Sequence, residues 1–173
     1  MMRLKAITIL CLILSAGTAL SGKDQTERLI FTTGTGWKIA NSSEARHYVI
    51  MEFVRDGDRL DDWKELLTIQ NFGRSSSMHS PEQELNDLRA KRESECPGVT
   101  EWNVIEKNEG SILYEWHAKS CLGQPDQSEM AKIIFGKHNI FWLHYAAKGR
   151  EFSPDARAEW IKRFTSAGIG SAP

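Results

Sequence analysis

The segment from Ile133 to Leu143 limits the possible folds more than any other part of the chain. Ile133, Ile134 and Phe135 precede a short polar turn, and an equally apolar run, 140–143, follows it. Successive side chains of a strand point to opposite faces of a sheet, so this strand pair is apolar on both faces. A pair of that kind has to be covered on both sides. The segment therefore predicts a sheet in the middle of the molecule.

Two segments carry the signals of helices that could supply this cover. Ser80-Pro81-Glu82-Gln83 is a capping box with proline at the first helical position, and it predicts a helix over 81–95. Ser153 and Pro154 begin a second segment, 154–167, whose apolar residues recur on one face of a helix. A third, short helix is expected after Asp58, because Leu60, Trp63 and Leu67 recur at helical spacing.

The remaining regular structure is expected to be extended. Runs rich in β-branched and aromatic residues predict strands at 37–40, 47–54, 101–106 or 111–119, 129–136 and 139–147. The fold class that accommodates these elements is α+β, a mostly antiparallel sheet with helices on both faces in an α/β/α sandwich.

The amino terminus is typical of a secretory signal peptide. Arg3 and Lys5 precede an apolar run over 6–14, and small residues follow it. The run is too short to span a bilayer. We therefore expect a signal peptide over 1–21, a single globular domain over 22–173, no stable membrane span after cleavage, and a periplasmic or secreted location.

Removal of residues 1–21 changes the cysteine count. Cys11 is lost with the signal peptide, and Cys96 and Cys121 are left as an even pair in an oxidising compartment. A disulfide between them is the expected outcome. Closing a loop of about 26 residues contributes roughly 3–3.5 kcal/mol by the chain-entropy model.

Charge and motifs exclude several function classes. Residues 1–21 contain two basic and no acidic residues, so the formal net charge of −1 becomes −3 in the mature chain. Such a chain offers no strong positive field, and nucleic acid is not an expected partner. The sequence contains no nucleophile elbow, zinc-protease motif, phosphate loop or dinucleotide fingerprint. No catalytic residue, resident metal or cofactor is therefore predicted.

Two tryptophans are candidates for a binding surface. Trp102 and Trp116 flank the region that the predicted disulfide links. Aromatic side chains provide a large contact area at a small cost in conformational entropy. We interpret the pair as the lining of an apolar groove for a ligand or partner, with a place in the core as the alternative.

An alternative site involves histidine and glutamate. Glu115 and His117 stand two residues apart and so share one strand face, and His144 lies on a strand that could be a neighbour. If His144 pointed to the same face, the three could hold a metal ion or act as acid and base. The strand register decides whether they meet, and the sequence leaves it open.

The order of elements resembles that of a known family. A strand pair introduced by Gly36-Trp37, a helical excursion, a strand meander and a closing helix with Trp160 and Phe164 are similar to PsbP-like domains. The resemblance covers most of residues 29–168 and implies an α/β/α sandwich that serves as a binding or assembly-support module. It carries over no catalytic residues.

These observations favour a secreted or periplasmic accessory protein without enzymatic activity. Its partner would be another envelope protein or a small apolar ligand, bound on the sheet surface. The alternative is an envelope hydrolase or metal-dependent enzyme that uses Glu115, His117 and His144.

Overall fold

The architecture is taken from a computed structural model of the whole chain. It describes residues 27–75, 79–149 and 151–171. The predicted signal peptide, residues 1–21, lies outside the described residues. Among the helices that are described, none is both long enough and apolar enough to cross a membrane.

Nine strands and two α-helices make up the regular structure of the described residues. In chain order they are β1 Glu27–Ile30, β2 Trp37–Ala45, β3 Tyr48–Arg55, β4 Glu65–Gly73, α1 Pro81–Glu95, β5 Thr100–Lys107, β6 Ser111–Ala118, β7 Gln127–Phe135, β8 Asn139–Lys148, α2 Pro154–Ser166 and β9 Gly168–Ser171. Both candidate strands at 101–106 and 111–119 form, as β5 and β6.

The short helix expected after Asp58 is reduced to a single 3-10 turn, Leu60–Asp62. Leu67, which suggested its helical spacing, lies within β4 and is fully buried. Burial of Leu67 in the core stabilises the strand more than the helical spacing of three apolar residues stabilises a helix.

Seven of the strands form one antiparallel sheet in the order β2-β3-β4-β8-β7-β6-β5. Two meanders, β2-β3-β4 and β5-β6-β7-β8, are joined where β4 pairs with β8. The first and last strands, β1 and β9, pair with each other in a separate two-stranded sheet. The prediction of an α+β fold with a mostly antiparallel sheet is confirmed.

The core consists of two apolar clusters that take alternate residues of β6. Tyr114 and Trp116 join a cluster with Leu85 of α1. Leu113, which lies before Tyr114 in the same strand, joins a second cluster with Trp160 of α2. Because neighbouring side chains of a strand point in opposite directions, β6 contributes to the core on both of its sides.

The helix α1 has only a small apolar face. Leu85 is 1% exposed, whereas most of the helix is charged. Ser80 caps its first turn by accepting a hydrogen bond from the Gln83 backbone amide at 3.1 Å. Its last turn leads into Cys96, which is bonded to Cys121 with 6.0 Å between the Cα atoms. The predicted disulfide is confirmed, and it fastens the weakly apolar helix to the loop after β6.

The helix α2 is held by apolar packing and by one buried lysine. Phe164 is fully buried and Trp160 is 2% exposed. Lys132 of β7 donates hydrogen bonds from Nζ to the carbonyl oxygens of Phe164 at 2.9 Å and Ala167 at 3.0 Å. These carbonyls end the helix, where a cation is favoured. Burial lowers the pKa of Lys132.

Replacing both Cys96 and Cys121 with serine should lower the free energy of unfolding by about 3 kcal/mol, because the unfolded chain regains the freedom of the loop. Urea denaturation of the oxidised protein and of the double variant measures the difference. Reduced wild-type protein is the matched control and should unfold like the variant. Two free thiols per chain in unfolded, unreduced protein from the oxidising compartment would contradict the bridge.

Candidate functional site

A cleft of about 270 Å³ opens where β5, β6 and β7 meet the start of α2. We call it the α2 cleft. The side chains that line it are those of Glu101, Asn103, Glu115, His117, Ser128, Glu151, Phe152 and Arg157, and the segments of Trp102 and Trp116 also border it. The volume lies just below the range of about 300–1,000 Å³ that is typical of sites for drug-sized ligands. A small ligand therefore fits it.

Strand register brings the polar side chains of the cleft to one face. Glu115 and His117 share a face of β6 because they are two residues apart. Asn103 and Glu101 of β5 lie directly opposite them, and Ser128 of β7 lies opposite His117 on the other side. Residues directly opposite in an antiparallel pair point to the same face of a sheet.

The charge at the centre of the cleft is a fixed ion pair. Arg157 of α2 donates to Glu115 through Nε at 2.8 Å and through Nη2 at 2.6 Å. Asn103 donates a further hydrogen bond to the same carboxylate at 2.8 Å. Burial acts to raise the pKa of Glu115, but the hydrogen bonds from Arg157 and Asn103 outweigh it, and the pKa is lowered. The carboxylate is therefore ionised, and both of its oxygens accept hydrogen bonds.

A second pair lies beside it. His117 Nδ1 and Ser128 Oγ are 2.9 Å apart, and the tautomer of the imidazole decides which one donates. Ser128 is only 2% exposed. Its hydroxyl therefore orients the imidazole and is not accessible as a nucleophile.

Two carboxylates of the cleft remain without partners. Glu101 and Glu151 are exposed, and neither forms a hydrogen bond or ion pair within the part of the chain that the structure describes. Glu115 neutralises the guanidinium of Arg157, so the lining residues carry a net formal charge of −2 with His117 neutral. The cleft therefore presents a negative potential to a ligand.

The predicted binding pair, Trp102 and Trp116, faces away from this cleft. Their ring centroids are 6.1 Å apart, and α1 covers them with the guanidinium of Arg92, 3.7 Å from the Trp116 ring. Trp116 is 4% exposed. The two rings form part of the packing under α1, so only the strand segments that carry them border the cleft. Their role in binding remains a prediction.

The structure does not bring together the three residues of the alternative site. His144 lies opposite Ala131 in β8, on the side of the sheet that packs against α1. Its Nδ1 is 2.9 Å from Glu129, and its ring stacks on Trp142. Glu115 and His117 face α2 instead. Within the described ranges, no three His, Cys, Asp or Glu residues are grouped as metal ligands.

Sequence reasoning missed two features. The first is the contribution of α2, whose Arg157 forms the ion pair with Glu115. The second is a row of three rings on neighbouring strands, Tyr48, Phe72 and Trp142, whose centroids lie 6.5 Å and 6.4 Å apart. We call these residues the aromatic row. The alternation of side chains between the two faces of each strand can be read from the sequence. The proximity of Phe72 to Trp142, however, depends on the long-range pairing of β4 with β8.

Comparison with known proteins identifies no family. No family model matches the chain, and no curated protein matches it. A solved structure from Bacteroides thetaiotaomicron VPI-5482 is 11% identical, with a TM-score of 0.46, and the match covers 84% of this chain and 45% of that one. LpqN of Mycobacterium tuberculosis, described as involved in cell envelope biogenesis, is 9% identical, with a TM-score of 0.37 and coverage of 86% and 87%. The similarity to PsbP-like domains remains a prediction.

Replacing Glu115 with glutamine should lower the free energy of unfolding by about 1–2 kcal/mol at pH 7, because a half-buried bidentate ion pair is lost. The pKa of Glu115 is lower in the folded than in the unfolded protein, so the ion pair stabilises the protein fully above the ordinary value near 4.5. This contribution disappears as the pH falls through the folded pKa, and the two proteins should become equally stable in acid.

Urea denaturation between pH 7 and pH 3 measures this convergence. Glu159→Gln is the matched control, because its exposed pair with Arg163 within one helix should contribute only about 0.3–0.5 kcal/mol. Equal losses for the two variants at pH 7, or a difference from wild type that persists in acid, would show that Glu115 does not stabilise the cleft.

Proposed function

We propose that this protein is a secreted or periplasmic accessory protein that binds a small ligand in the α2 cleft without transforming it. The observation that carries the proposal is the bonding of the polar groups at the centre of the cleft. Its central groups are held by bonds within the protein, Glu115 by Arg157 and His117 by Ser128. A site that is already ordered loses less conformational entropy when a ligand binds.

The same bonds support binding rather than catalysis. A general base needs a free acceptor within reach of substrate, whereas Glu115 is occupied by Arg157 and Asn103. A serine nucleophile needs an accessible hydroxyl, whereas Ser128 is buried. Glu115 and Ser128 thus act as part of the frame of the cleft.

The proposal includes export of the chain and a layered fold. The predicted signal peptide over 1–21 and the disulfide between Cys96 and Cys121 support a periplasmic or secreted location. The remainder, 22–173, is proposed to be one domain. The two apolar clusters, each with one helix, support an α/β/α arrangement with helices on both faces.

Native mass spectrometry of the mature protein, purified gently from its own host's envelope or medium, tests this function. A mass excess that corresponds to a small organic molecule is expected. Glu101→Trp places a large ring opposite His117 in the cleft and should abolish the excess. Glu44→Trp, on the exposed edge strand β2, is the matched control and should retain it. A bare wild-type chain, a metal adduct, or an equal excess in both variants would contradict the proposal.

A second candidate function is supported by the aromatic row. Tyr48 is 37% exposed, and its ring continues through Phe72 to Trp142 across three strands. Large exposed aromatic side chains are typical of contacts between proteins. The row would bind another envelope protein on the sheet surface.

Tyr48→Ala should reduce the amount of such a partner that co-purifies with the protein by about tenfold, since a central aromatic contact contributes about 1.4 kcal/mol or more. Quantitative mass spectrometry of the purified complex measures the change. Tyr48→Phe keeps the ring and loses only the hydrogen bond that Gln70 donates to the hydroxyl, so it should retain the partner. Equal co-purification with the alanine variant would exclude the row from the interface.

A further inference from the structure

The α2 cleft is continuous with a second concave surface. A groove of about 740 Å³ runs along α2, and Phe152 and Arg157 line both the groove and the cleft. We call it the α2 groove. From Arg157 to Thr165 it follows eight residues of helix, roughly 12 Å at the usual rise per residue. Cleft and groove together form one elongated site.

The two parts differ in chemistry. Phe152, Ala158 and Ile161 give the groove an apolar floor. Ile161 is partly buried and packs against the core around Trp160, so this floor is fixed by the fold. The cleft is polar and negatively charged, and its carboxylates of Glu101 and Glu151 have no partner among the described residues. A ligand that uses both parts has a charged end and an apolar end.

The sign of the charged end follows from the pairing in the cleft. Among the described residues that line the cleft, Arg157 is the cation. Glu115 already binds it in a bidentate ion pair. An anionic ligand would meet a guanidinium whose charge Glu115 already neutralises, and it would face Glu101 and Glu151 as like charges. A cationic ligand can form ion pairs with the carboxylates of Glu101 and Glu151, and no bond between described residues has to break. The cleft therefore selects positive charge.

Lys162 sets the direction of the ligand. It is exposed, and it lines the groove more than one helical turn after Arg157. A second positive charge is disfavoured near its ammonium group, whereas an apolar tail can lie along its methylene stem. The positive end is thus directed into the cleft and the tail along the helix.

We infer that the α2 cleft and α2 groove together bind an amphiphilic organic cation, with an ammonium head between Glu101 and Glu151 and a single apolar tail along α2. This inference rests on the proposed function, because it assigns a ligand class to the same cleft. It adds the sign of the charge, the groove as a second contact and the orientation of the molecule.

Isothermal titration calorimetry of the mature wild-type protein with n-octylammonium chloride tests the inference. Octylammonium should bind at low salt, and binding should weaken as salt screens the carboxylates. Sodium octanoate has the same tail and the opposite charge, and it should bind at least tenfold more weakly. In the series butyl-, hexyl- and octylammonium, affinity should rise roughly twofold per methylene, about half the gain that complete burial would give.

Variants separate the head from the tail. The double variant Glu101→Gln, Glu151→Gln should bind octylammonium roughly twentyfold more weakly, because the loss of each partly exposed ion pair weakens binding about fivefold. Glu44→Gln with Glu109→Gln removes the same charge away from the site and is the matched control. Ala158→Lys places a cation in the groove and should remove the dependence on chain length. Unchanged thermal unfolding shows that each variant is folded.

The outcomes distinguish this inference from the proposed function. Equal or tighter binding of octanoate would overturn the cationic head, and affinity without chain-length dependence would overturn the groove. In both cases a small organic adduct in native mass spectrometry would still support a binding function. Absence of octylammonium binding beside such an adduct would overturn the inference alone, whereas absence of both would overturn the inference and the function together.

Discussion

The pairing of β4 with β8 is the constraint on which the rest of the structure depends. Nine residue pairs, from Glu65 with Ala147 to Gly73 with Asn139, join two meanders that would otherwise be separate sheets. Residues that meet in this ladder are about seventy positions apart in the chain, so the entropy of closing a long loop has to be offset by burial on both faces. Leu67, Leu143 and Tyr145 supply that burial on the side of α2, each 1% exposed or less, and the fully buried Ile140 supplies it on the side of α1. The aromatic row exists only because of this ladder, since Phe72 belongs to one meander and Trp142 to the other.

The proposed binding site depends on the position of α2 relative to the sheet. Packing of Trp160 and Phe164 holds the helix against the sheet, and Lys132 binds the carbonyl groups at its end. This position brings Arg157 over Glu115, and the resulting ion pair neutralises the cation that the described lining of the cleft contains. The sign of the charge that we infer for a ligand therefore depends on a structural ion pair. The same helix provides the apolar floor of the adjoining groove.

Local signals predicted the helices well because their ends are specified by neighbouring residues. Ser80 and Ser153 cap α1 and α2 as expected, with a proline at the first position of each helix. The helix predicted after Asp58 is only a single turn, because Leu67 is part of β4 and is buried in the core. Helix α1 lies over Trp102 and Trp116, with one arginine near each ring, and no local pattern indicated this cover. A helix with so few apolar residues gives no sequence signal for the surface that it covers.

What the sequence determined by itself is the chemistry that acts over short distances. It specified the helix caps, the strand alternation that places Glu115 with His117, and the cysteine pair that lies outside the predicted signal peptide. Tertiary structure alone decided which strands are neighbours and in which register. That register places Ser128 beside His117 and directs His144 to the opposite face, beside Glu129. The reason is physical: a shift of one residue in a strand moves every side chain to the other face, and only the packing of the whole core selects between the two registers.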